Sequence, residues 1–514
     1  MNIQSWKQEL PEFTQKTADF YAGTLDKNIY KGFSGRFGSY AQKGAKSSML
    51  RLRMTAGRLT KEKLKFIVKA IQEDKVQRAH FTTCQSVQFH DLNEQQVCKL
   101  VGEAWDYGMV TMGGGGDYPR NVMCTPLTGL VEEGYFDVLP YAEAAAEYLM
   151  SFVDAEKMPR KLKVCFSDSP ANIPHATYRD MGFTARPDGK FDVYTAGGLG
   201  NNPQFGVLVA EAVEPTKILY YIKAMWLTFR AYGDFQNRGH ARTRYMQEIC
   251  GGPEAYKKAY LEKYEEVLAS GENLDIAPEV QPVEKCGDGS ICNDKRAIKQ
   301  KRDGLYAVEW HPAGGNPSLE NLIGLYELIK DMEAVEIRLA PFESAYIVNL
   351  TGAEAEKVIA ATPDSAKTVF ETSVSCIGGA TCQVGVRDSQ ALLAACLKAV
   401  SEANVVDGAL PRIYISGCPS SCAGHQTAAI GFNGAGKKIG DEMKSAFMLH
   451  AGGCSRQGEE RMGKQYGTVL TEDIPEMFVL IGKSVEQAGC GFEEWYAVNE
   501  PAFEALVKYY TEKV

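Results

Sequence analysis

Apolar and polar residues alternate in two short stretches of the first hundred residues, with the period of strands that bury one face. Ser48 to Arg53 alternates apolar with basic residues, which puts Arg51 and Arg53 on one face, and His80 to His90 alternates in the same way. Between them, Thr60 to Ile71 has apolar residues at helical spacing, with Thr60 as the N-cap. Strand, helix and strand predict a βαβ-type unit or half of a ferredoxin-like motif.

The same order of elements returns in the second half of the chain. Residues 304–311 read as a strand, 318–329 as a helix and 334–350 as two further strands. A second pair of segments supports the repeat, because a strand runs into Gly197-Gly198 and another into Gly452-Gly453. A glycine pair lets the backbone lie close to a flat ligand. We therefore predict an internal duplication, with chance resemblance of two α/β segments as the alternative.

Composition predicts a large soluble globular protein. The 514 residues are 45% hydrophobic and 24% charged, with a net charge of −9 that argues against general nucleic-acid binding. No run of eighteen apolar residues and no N-terminal apolar segment occur, so we expect a cytoplasmic protein that is not inserted in a membrane. In a reducing compartment the 14 cysteines are expected to be thiols or metal ligands.

Two cysteine pairs in glycine-rich loops carry the strongest chemical signal. Cys376 and Cys382 have C-x5-C spacing, and Cys418 and Cys422 have C-x3-C spacing about forty residues later. Four thiolates from two loops suit an iron–sulfur cluster, whereas zinc sites usually have two to four residues between paired cysteines. Cys286 and Cys292 repeat the C-x5-C spacing without a second pair nearby, so spacing alone is weak evidence.

Several longer stretches resemble one enzyme family. They are Met49–Arg53, Gln85–His90, Tyr118–Cys124, Pro159–Lys163, Ala241–Tyr245 and both cysteine pairs. Together they make most of the chain similar to the siroheme and [4Fe–4S] sulfite and nitrite reductases, and closest to the ferredoxin-type or haemoprotein-subunit sulfite reductases. The resemblance implies a mixed α+β fold in which two duplicated halves, with ferredoxin-like half-domain repeats, surround one siroheme.

The resemblance also implies a division of the chain. We expect an N-terminal arm over 1–42, a first ferredoxin-like half-repeat over 43–125, and a first siroheme-binding α/β domain with a connecting segment over 126–300. A second ferredoxin-like half-repeat over 301–362 and a [4Fe–4S] and siroheme-binding α/β domain over 363–514 follow.

Residue roles are carried over from the family position by position. The resemblance implies catalytic cations at Arg51, Arg120, Lys161 and Lys163, and cluster ligands at Cys376, Cys382, Cys418 and Cys422, with Cys422 bridging to the siroheme iron. It implies cofactor contacts from Thr82, Ser86, Gln88, His90, Asn121, Gly197, Gly198, Arg242 and Cys422. Cations are needed because a small oxyanion must bind an electron-rich iron.

Two positions depart from the family. Cys84 stands where members usually have Arg, and His80 where some have Arg. Siroheme has eight carboxylates, so the loss of a guanidinium weakens their charge compensation. We expect siroheme to bind with its carboxylates held differently, in part by Arg242.

The expected reaction is six-electron reduction of sulfite to sulfide. Lys163 favours sulfite, since the compared ferredoxin nitrite reductases have Asn there; reduction of nitrite to ammonia is the alternative. A non-catalytic siroheme or electron-transfer subunit, or a plain iron–sulfur carrier, is a further alternative, but neither needs the four cations.

Electrons are expected from an external donor, a reduced ferredoxin or a flavoprotein subunit. Met112 to Asp117 lacks the spacing of a dinucleotide-binding loop and is predicted to be a flexible loop leading to Arg120. The basic run Lys295 to Arg302 is a candidate docking site for an acidic ferredoxin, with a solvated linker as the alternative.

Overall fold

The computed structural model describes residues 3–279 and 282–513, which form four β-sheets covered by helices. Three helices, α1 (Ile3–Gln8), α2 (Leu10–Tyr21) and α3 (Lys27–Ser34), precede the first sheet. Trp6, Phe13 and Phe37 are buried in the core beneath that sheet. The N-terminal segment is therefore packed on the first half of the chain.

The first ferredoxin-like unit contains five strands and two helices. They are β1 (Ser39–Ala41), β2 (Ser48–Leu52), β3 (Arg58–Leu59), α4 (Lys61–Gln72), β4 (Arg78–Phe81), β5 (Val87–Leu92) and α5 (Glu94–Asp106). Four strands form an antiparallel sheet in the order β1-β2-β5-β4. Thr60 caps α4 as predicted, and Leu64, Ile67 and Ile71 bury one side of that helix.

The first α/β unit follows. It consists of β6 (Met123–Cys124), α6 (Leu139–Met150), β7 (Val164–Ser167), β8 (Met181–Ala185), β9 (Phe191–Thr195), β10 (Val207–Val213), α7 (Ile218–Tyr232), α8 (Tyr245–Ile249) and α9 (Pro253–Ala269). The sheet order is β10-β9-β8-β7-β6, with β6, β7 and β8 parallel and the other pairs antiparallel.

The second half repeats this plan. Its ferredoxin-like unit contains β11 (Ala297–Lys299), β12 (Tyr306–Trp310), α10 (Leu319–Ile329), β13 (Glu336–Ala340), β14 (Ser344–Leu350) and α11 (Gly352–Ala361). Its α/β unit contains β15 (Val374–Ser375), α12 (Gly378–Thr381), α13 (Ser389–Glu402), β16 (Ile413–Ser416), β17 (Ile430–Ile439), β18 (Glu442–Ala451), β19 (Lys464–Leu470), α14 (Ile474–Ala488) and α15 (Phe492–Thr511). The sheet β15-β16-β17-β18-β19 has the same sequence of parallel and antiparallel pairs as the first α/β sheet.

The two ferredoxin-like units match without an insertion. β1 and β11 begin at positions 39 and 297, and β2 and β12 at positions 48 and 306, so both pairs are 258 residues apart. Helices α4 and α10, and α5 and α11, begin at the same separation. This regular spacing confirms the internal duplication and the duplicated ferredoxin-like architecture.

The two halves share backbone pairing and one core. Strand β3 of the first half pairs with β13 of the second, and one hydrophobic core includes residues of both ferredoxin-like units. At the turn between β4 and β5, the buried Gln85 Nε2 donates to the carbonyls of Cys124 (2.8 Å) and of Leu339 (2.6 Å), and its Oε1 accepts from the Cys124 N–H (2.8 Å). Gln85 thus joins three sheets, and its counterpart Glu343 accepts from the Ser375 N–H (2.9 Å).

Other features of the sequence have simple locations. Residues 275–279 and 282–296 of the connecting segment contain no helix or strand. Cys286 is exposed, and Cys292 is buried in the ferredoxin-like core. Neither of them lies in the loops that carry the other two cysteine pairs. Within the described ranges, no helix is both long enough and apolar enough to span a bilayer.

Replacing Gln85 by Ala is expected to destabilise the fold by about 3 kcal/mol, because it leaves three backbone groups without their partner in the interior. The shift in the urea unfolding midpoint measures the loss. Gln77→Ala is the control, since the Gln77 side chain is exposed and donates to the nearby Lys75 carbonyl. Equal midpoints for both variants would show that the hydrogen bonds of Gln85 do not stabilise the fold.

Candidate active site

Both cysteine pairs follow neighbouring parallel strands. Cys376 comes directly after β15, and Cys418 comes two residues after β16. Because β15 and β16 are parallel, their carboxyl ends meet at one edge of the sheet. The fold therefore brings the two cysteine loops together, as their spacing predicts.

Glycines allow these loops to pack at backbone contact distance. A Cβ on Gly379 would lie 2.9 Å from the Arg387 carbonyl oxygen, and one on Gly417 would lie 2.7 Å from the same atom. The Gly417 N–H donates to Cys376 Sγ at 3.1 Å. Backbone N–H groups that point at cysteine sulfurs are typical of iron–sulfur sites.

The four thiols are close enough to influence one another. Burial and the nearby Cys422 raise the pKa of Cys376 to about 12. Burial also raises the pKa of Cys422, to which Cys418 and Cys382 contribute, while Lys161 and Lys163 oppose it. Cys376 and Cys422 thus favour the protonated thiol, and a bound metal would displace the proton. In the described ranges no three His, Cys, Asp or Glu side chains converge on one ion, whereas each thiolate of a [4Fe–4S] cluster binds a separate iron.

The predicted cations come from the first half of the chain. Arg51 is on β2, and its Nη1 donates to the Gly114 carbonyl. Arg120 Nη1 donates to the same carbonyl at 2.7 Å, and its Nη2 to that of Gly116 at 2.9 Å. Burial, with Arg51, lowers the pKa of Arg120 to about 10. The two guanidinium groups thus converge on one loop.

That loop is packed, and the prediction of a flexible Met112 to Asp117 segment is wrong. The Gly113 and Gly115 N–H groups donate to the carbonyls of Arg36 (2.6 Å) and Gly35 (2.9 Å). A Cβ on Gly114 would lie 2.7 Å from the Thr111 carbonyl oxygen. The glycines permit close backbone packing here, because side chains would collide with neighbouring carbonyls.

Lys161 and Lys163 lie just before β7, at the edge of the first α/β sheet. Lys163 Nζ is 3.2 Å from Cys84 Sγ, and its N–H donates to Asp180 Oδ2 at 2.8 Å. Burial lowers the pKa of Lys161 well below its ordinary value, and Arg242, Lys163 and Arg120 lower it further. Lys161 therefore binds its proton weakly.

Gln88 and His90 lie behind Arg51. His90 Nδ1 donates to Gln42 Oε1 at 3.2 Å, and its Nε2 accepts from the Gln88 amide at 3.2 Å. With the amide in this orientation, Gln88 Oε1 accepts from Arg51 Nε at 3.0 Å. Both side chains are almost fully buried. They orient the Arg51 guanidinium.

Thr82, Ser86 and Asn121 hold the turn that carries Cys84. Thr82 Oγ1 accepts from the N–H groups of Cys84 (3.3 Å) and Ser86 (3.1 Å). Asn121 Nδ2 donates to the carbonyls of Cys84 and Gln85, both at 3.0 Å. Burial would raise the pKa of Cys84, but Lys163, Arg179 and Arg51 outweigh it and hold that pKa at about 6.

Gly197 lies against backbone. A Cβ on Gly197 would be 2.7 Å from the Tyr178 Cα, and its N–H donates to the Arg179 carbonyl at 3.0 Å. The neighbouring Gly198 N–H pairs with the Gln204 carbonyl at 2.9 Å. The glycine pair thus has a packing role in addition to the cofactor contact predicted for it.

Arg242 forms an ion pair with a carboxylate through one of its nitrogens. Its Nη2 lies 2.9 Å from Asp180 Oδ1, and the buried Asp180 also accepts from Thr243 Oγ1 at 2.5 Å. The Arg242 Nε is buried and has no partner within the described ranges.

His80 does not restore the positive charge that is missing because position 84 is Cys and not Arg. Burial lowers the pKa of His80 to about 4, so its ring is neutral at pH 7.

Sequence reasoning missed Arg179. Its charge lowers the pKa values of Cys84 and of the buried His175, so it stands beside the predicted cations. Arg179 is half-buried and precedes β8 after a turn in which His175 has φ 63. A lone arginine in a loop gives no periodic signal in the sequence. The positive φ of His175, which marks the turn before Arg179, is visible only in the structure.

The cysteine and cation sets meet. Thr83 Oγ1, from the turn that carries Cys84, donates to the Cys422 carbonyl at 3.0 Å. Lys161 and Lys163 are near enough to Cys422 to lower its pKa. Neighbouring segments also join, since Lys43 Nζ donates to the Gly379 carbonyl at 2.7 Å and Arg78 Nη2 to Thr381 Oγ1 at 2.9 Å.

These residues fit the two implied cofactors. Four clustered thiols with a glycine N–H on one sulfur suit a [4Fe–4S] cluster. The buried Nε groups of Arg120 and Arg242 have no partner within the described part of the chain, and both lie near Lys161. Unpaired cationic donors beside the cysteines match the need of a siroheme for charge compensation.

The second copy of the cation site has changed. Glu309 and Arg412 occupy the positions of Arg51 and Lys163, at the same places relative to β12 and β16. They line a cavity of about 1200 Å³ that also contacts Tyr414, Gly452 and Gly453. Glu309 removes one cation from this copy, so the second half does not keep the full cation set of the first half.

Comparisons with known proteins give one consistent family. Residues 40–104 match the family model "Nitrite/Sulfite reductase ferredoxin-like half domain", and residues 115–267 match "Nitrite and sulphite reductase 4Fe-4S domain". The second range is the α/β unit of the first half, whose duplicate carries the four cysteines.

Curated relatives cover most of the chain. Sulfite reductase [ferredoxin] 1 of Mycolicibacterium paratuberculosis is 22% identical over 80% of this chain and 74% of its own length. Ferredoxin–nitrite reductase of Synechococcus elongatus is 24% identical over 84% of both chains. The sulfite reductase [NADPH] haemoprotein β-component of Myxococcus xanthus is 25% identical over 83% of this chain and 80% of its own.

One solved structure shares the fold. The NirA protein of Mycobacterium tuberculosis superposes with a TM-score of 0.77 at 22% identity, covering 94% of this chain and 93% of that one.

Replacing Asp180 by Asn is expected to destabilise the protein by about 3 kcal/mol at pH 7, because Arg242 loses its buried counter-charge. The pKa of Asp180 is lower than its ordinary 3.8, chiefly because Arg242 outweighs burial. The ionised Asp180 therefore contributes to the free energy of unfolding above about pH 4, and this contribution is lost as the pH falls through the pKa of Asp180 in the folded protein. Urea unfolding from pH 3 to 8 should show the two proteins converging in acid.

Asp188→Asn is the control, since Asp188 pairs with Arg186 at the surface. A difference between wild type and Asp180→Asn that stays constant down to pH 3 would contradict the role of the Asp180 charge.

Proposed function

We propose that this chain, which belongs to the nitrite and sulfite reductase family, reduces sulfite to sulfide with six electrons. It is an oxidoreductase that uses siroheme and a [4Fe–4S] cluster, and its family reduces sulfite or nitrite. Reduction of nitrite to ammonia is the second candidate, supported by the similarity to a ferredoxin–nitrite reductase.

One observation carries the proposal. The loop with Cys422 and the turn with Cys84 are joined by the Thr83 hydrogen bond, and Lys161 and Lys163 lie within electrostatic range of Cys422. A plain electron carrier has no need for cations beside its cysteines. A reductase of small anions needs both the cysteines that hold a cluster and the cations that bind the anion, since electrons and substrate must meet at one place.

When bound, siroheme would supply the iron that receives substrate, and the cluster would pass on electrons from the external donor. In this proposal Cys376, Cys382, Cys418 and Cys422 hold the cluster, with Cys422 nearest to the cations. Arg51 and Arg120 bind substrate oxygens from one side, because their guanidinium groups are fixed on the Gly114 carbonyl. Lys163 approaches from β7.

Lys161 is the proposed proton donor. Its low pKa in the free site means that its ammonium gives up a proton readily, and the charge of a bound anion favours reprotonation. An acid that gains a proton when substrate binds and loses it as oxygen leaves as water suits this reaction.

The preference for sulfite depends on charge. Sulfite can carry two negative charges and nitrite one, so each added cation favours sulfite more strongly. The first half keeps four cations at the predicted positions, including Lys163. This count is the reason to place sulfite first.

For the electron donor, we propose a docking face beside the cluster loop. Val384, Val386 and Met443 are 60%, 47% and 68% exposed, although they are apolar. Met443 pairs with the exposed Lys438 across the β17–β18 hairpin, and Arg387 and Met443 both lie near Gly436. Exposed apolar residues with a basic edge suit an acidic protein donor.

The basic run Lys295 to Arg302 is a weaker candidate for docking. Arg296 and Arg302 donate to backbone carbonyls, including those of Glu309 and Glu284. Strand β11 in this run is the duplicate of β1, and Ala41 of β1 contacts Gln383 in the cluster loop. The basic run is thus the second-half counterpart of the β1 segment that contacts the cluster loop, and it lies away from the cysteines.

Purified protein should show the visible absorption of a haem-like group and should reduce sulfite with an artificial electron donor. Lys163→Asn is expected to lower kcat/KM for sulfite about tenfold more than kcat/KM for nitrite, because a doubly charged anion loses more Coulomb energy. Arg412→Asn, at the equivalent position of the second copy, is the control and should leave the ratio unchanged.

Turnover of nitrite alone would make the second candidate correct. A normal absorption spectrum with no turnover of either anion would identify a non-catalytic subunit.

The double variant Lys438→Glu and Met443→Glu should raise the KM for reduced ferredoxin about tenfold, because charge reversal at the face weakens encounter with an acidic donor. Dye-driven turnover should not change. Lys299→Glu with Lys301→Glu, two exposed lysines of the basic run, is the matched control. Equal effects of the two double variants would reject the proposed face.

A further inference from the structure

We propose that Cys84 sets the charge selectivity of this site, because its sulfur binds the Lys163 ammonium and withholds that cation from the substrate. The proposal rests on the proposed function. It adds a specificity-determining residue at a position where the family resemblance leads one to expect Arg.

Both partners are held in place by their backbones. The turn that carries Cys84 is fixed by Thr82 Oγ1, which accepts from the Cys84 N–H at 3.3 Å, and by Asn121, which donates to the Cys84 carbonyl at 3.0 Å. Lys163 is fixed by its N–H bond to Asp180 (2.8 Å) and by its carbonyl, which accepts from the Met181 N–H (3.1 Å). The 3.2 Å contact between Sγ and Nζ thus joins two rigid segments.

The surroundings favour a negatively charged sulfur. Lys163, Arg179 and Arg51 are the charged groups that act most strongly on the thiol, and Arg120 also lies within range. The buried thiol of Cys165 on β7 is a further titratable group near Cys84. With a pKa of about 6, Cys84 is mainly thiolate at pH 7.5, so the contact with Lys163 is an ion pair.

A thiolate beside the cations affects the two candidate substrates unequally. Coulomb energy is proportional to the charge of the anion, so removing the thiolate charge stabilises a bound sulfite dianion twice as much as bound nitrite. If the affinity for nitrite rises by some factor, the affinity for the sulfite dianion rises by the square of that factor. Cys84 therefore narrows the advantage that four cations give to sulfite. A single cysteine can thus let one site accept both anions.

Asn and Asp at position 84 have nearly the same shape and differ in charge, which makes them the informative variants. Dissociation constants of sulfite and nitrite are measured from the change in visible absorption of the holoprotein at pH 7.5. Cys84→Asn should bind nitrite about threefold and sulfite about tenfold more tightly than wild type, while Cys84→Asp should keep the wild-type ratio.

The cysteine variant Cys286→Asn, at an exposed position outside the site, should change neither constant. Cofactor content is measured from absorption in every variant. If Asn and Asp at position 84 give the same ratio, or if both anions gain by one factor, the role of Cys84 in charge selectivity is refuted. If neither anion changes the absorption of the wild-type protein, the proposed function itself fails, so the two failures are distinguishable.

The pH series gives a second, independent reading. In wild type the ratio of nitrite to sulfite dissociation constants, corrected for protonation of free sulfite, should move toward that of Cys84→Asn as the pH falls from 7.5 to 5. The ratio for Cys84→Asn, in which the thiol is absent and Lys161 can still titrate, should change less than the wild-type ratio. A wild-type change no larger than that of Cys84→Asn would overturn the proposal.

Discussion

Repulsion among buried cations is the constraint on which this site depends. Burial and neighbouring arginines lower the pKa of Arg53 to about 9 and that of Arg120 to about 10. Carboxylate partners would relieve the repulsion but would also cancel the charge needed for an anion. The protein uses carbonyl oxygens instead: Arg53, Arg51 and Arg120 all donate to the backbone between Met112 and Arg120. Carbonyl dipoles orient a guanidinium and leave its net charge intact.

Duplication of the chain makes this arrangement possible. Each half has the same sheet and the same loops, so each offers one place for cations and one for metal ligands. The first half keeps the cations, while its loop after β7 has Ser169 and Ile173 where the second half has Cys418 and Cys422. The second half keeps the cysteines and has Glu309 in place of Arg51. The proposed active site therefore needs both halves, and Gln85 and β3 hold those halves together.

The sequence predicted what depends on local pattern. The ferredoxin-like repeats, the Thr60 cap and the convergence of the cysteine loops follow from periodicity, capping chemistry and parallel strands. The glycine-rich loop was misjudged because glycine permits both flexibility and close packing, and only the neighbouring carbonyls decide between them. Arg179 and the contact between Cys84 and Lys163 join residues that are distant along the chain, so no local pattern announces them.

In the proposed function, charge also determines which anion the site can distinguish. Nitrite and sulfite are both small oxyanions, and a pocket for one has little steric means of excluding the other. Selectivity must then come from the number of uncompensated cations and from their distance to the substrate. Because Asp180 accepts from Arg242 and from the Lys163 N–H, the proposed role in selectivity falls to the Cys84 sulfur, which contacts the Lys163 ammonium. In this proposal a titratable thiol at position 84 makes the number of uncompensated cations depend on pH, which an arginine at the same position would not do.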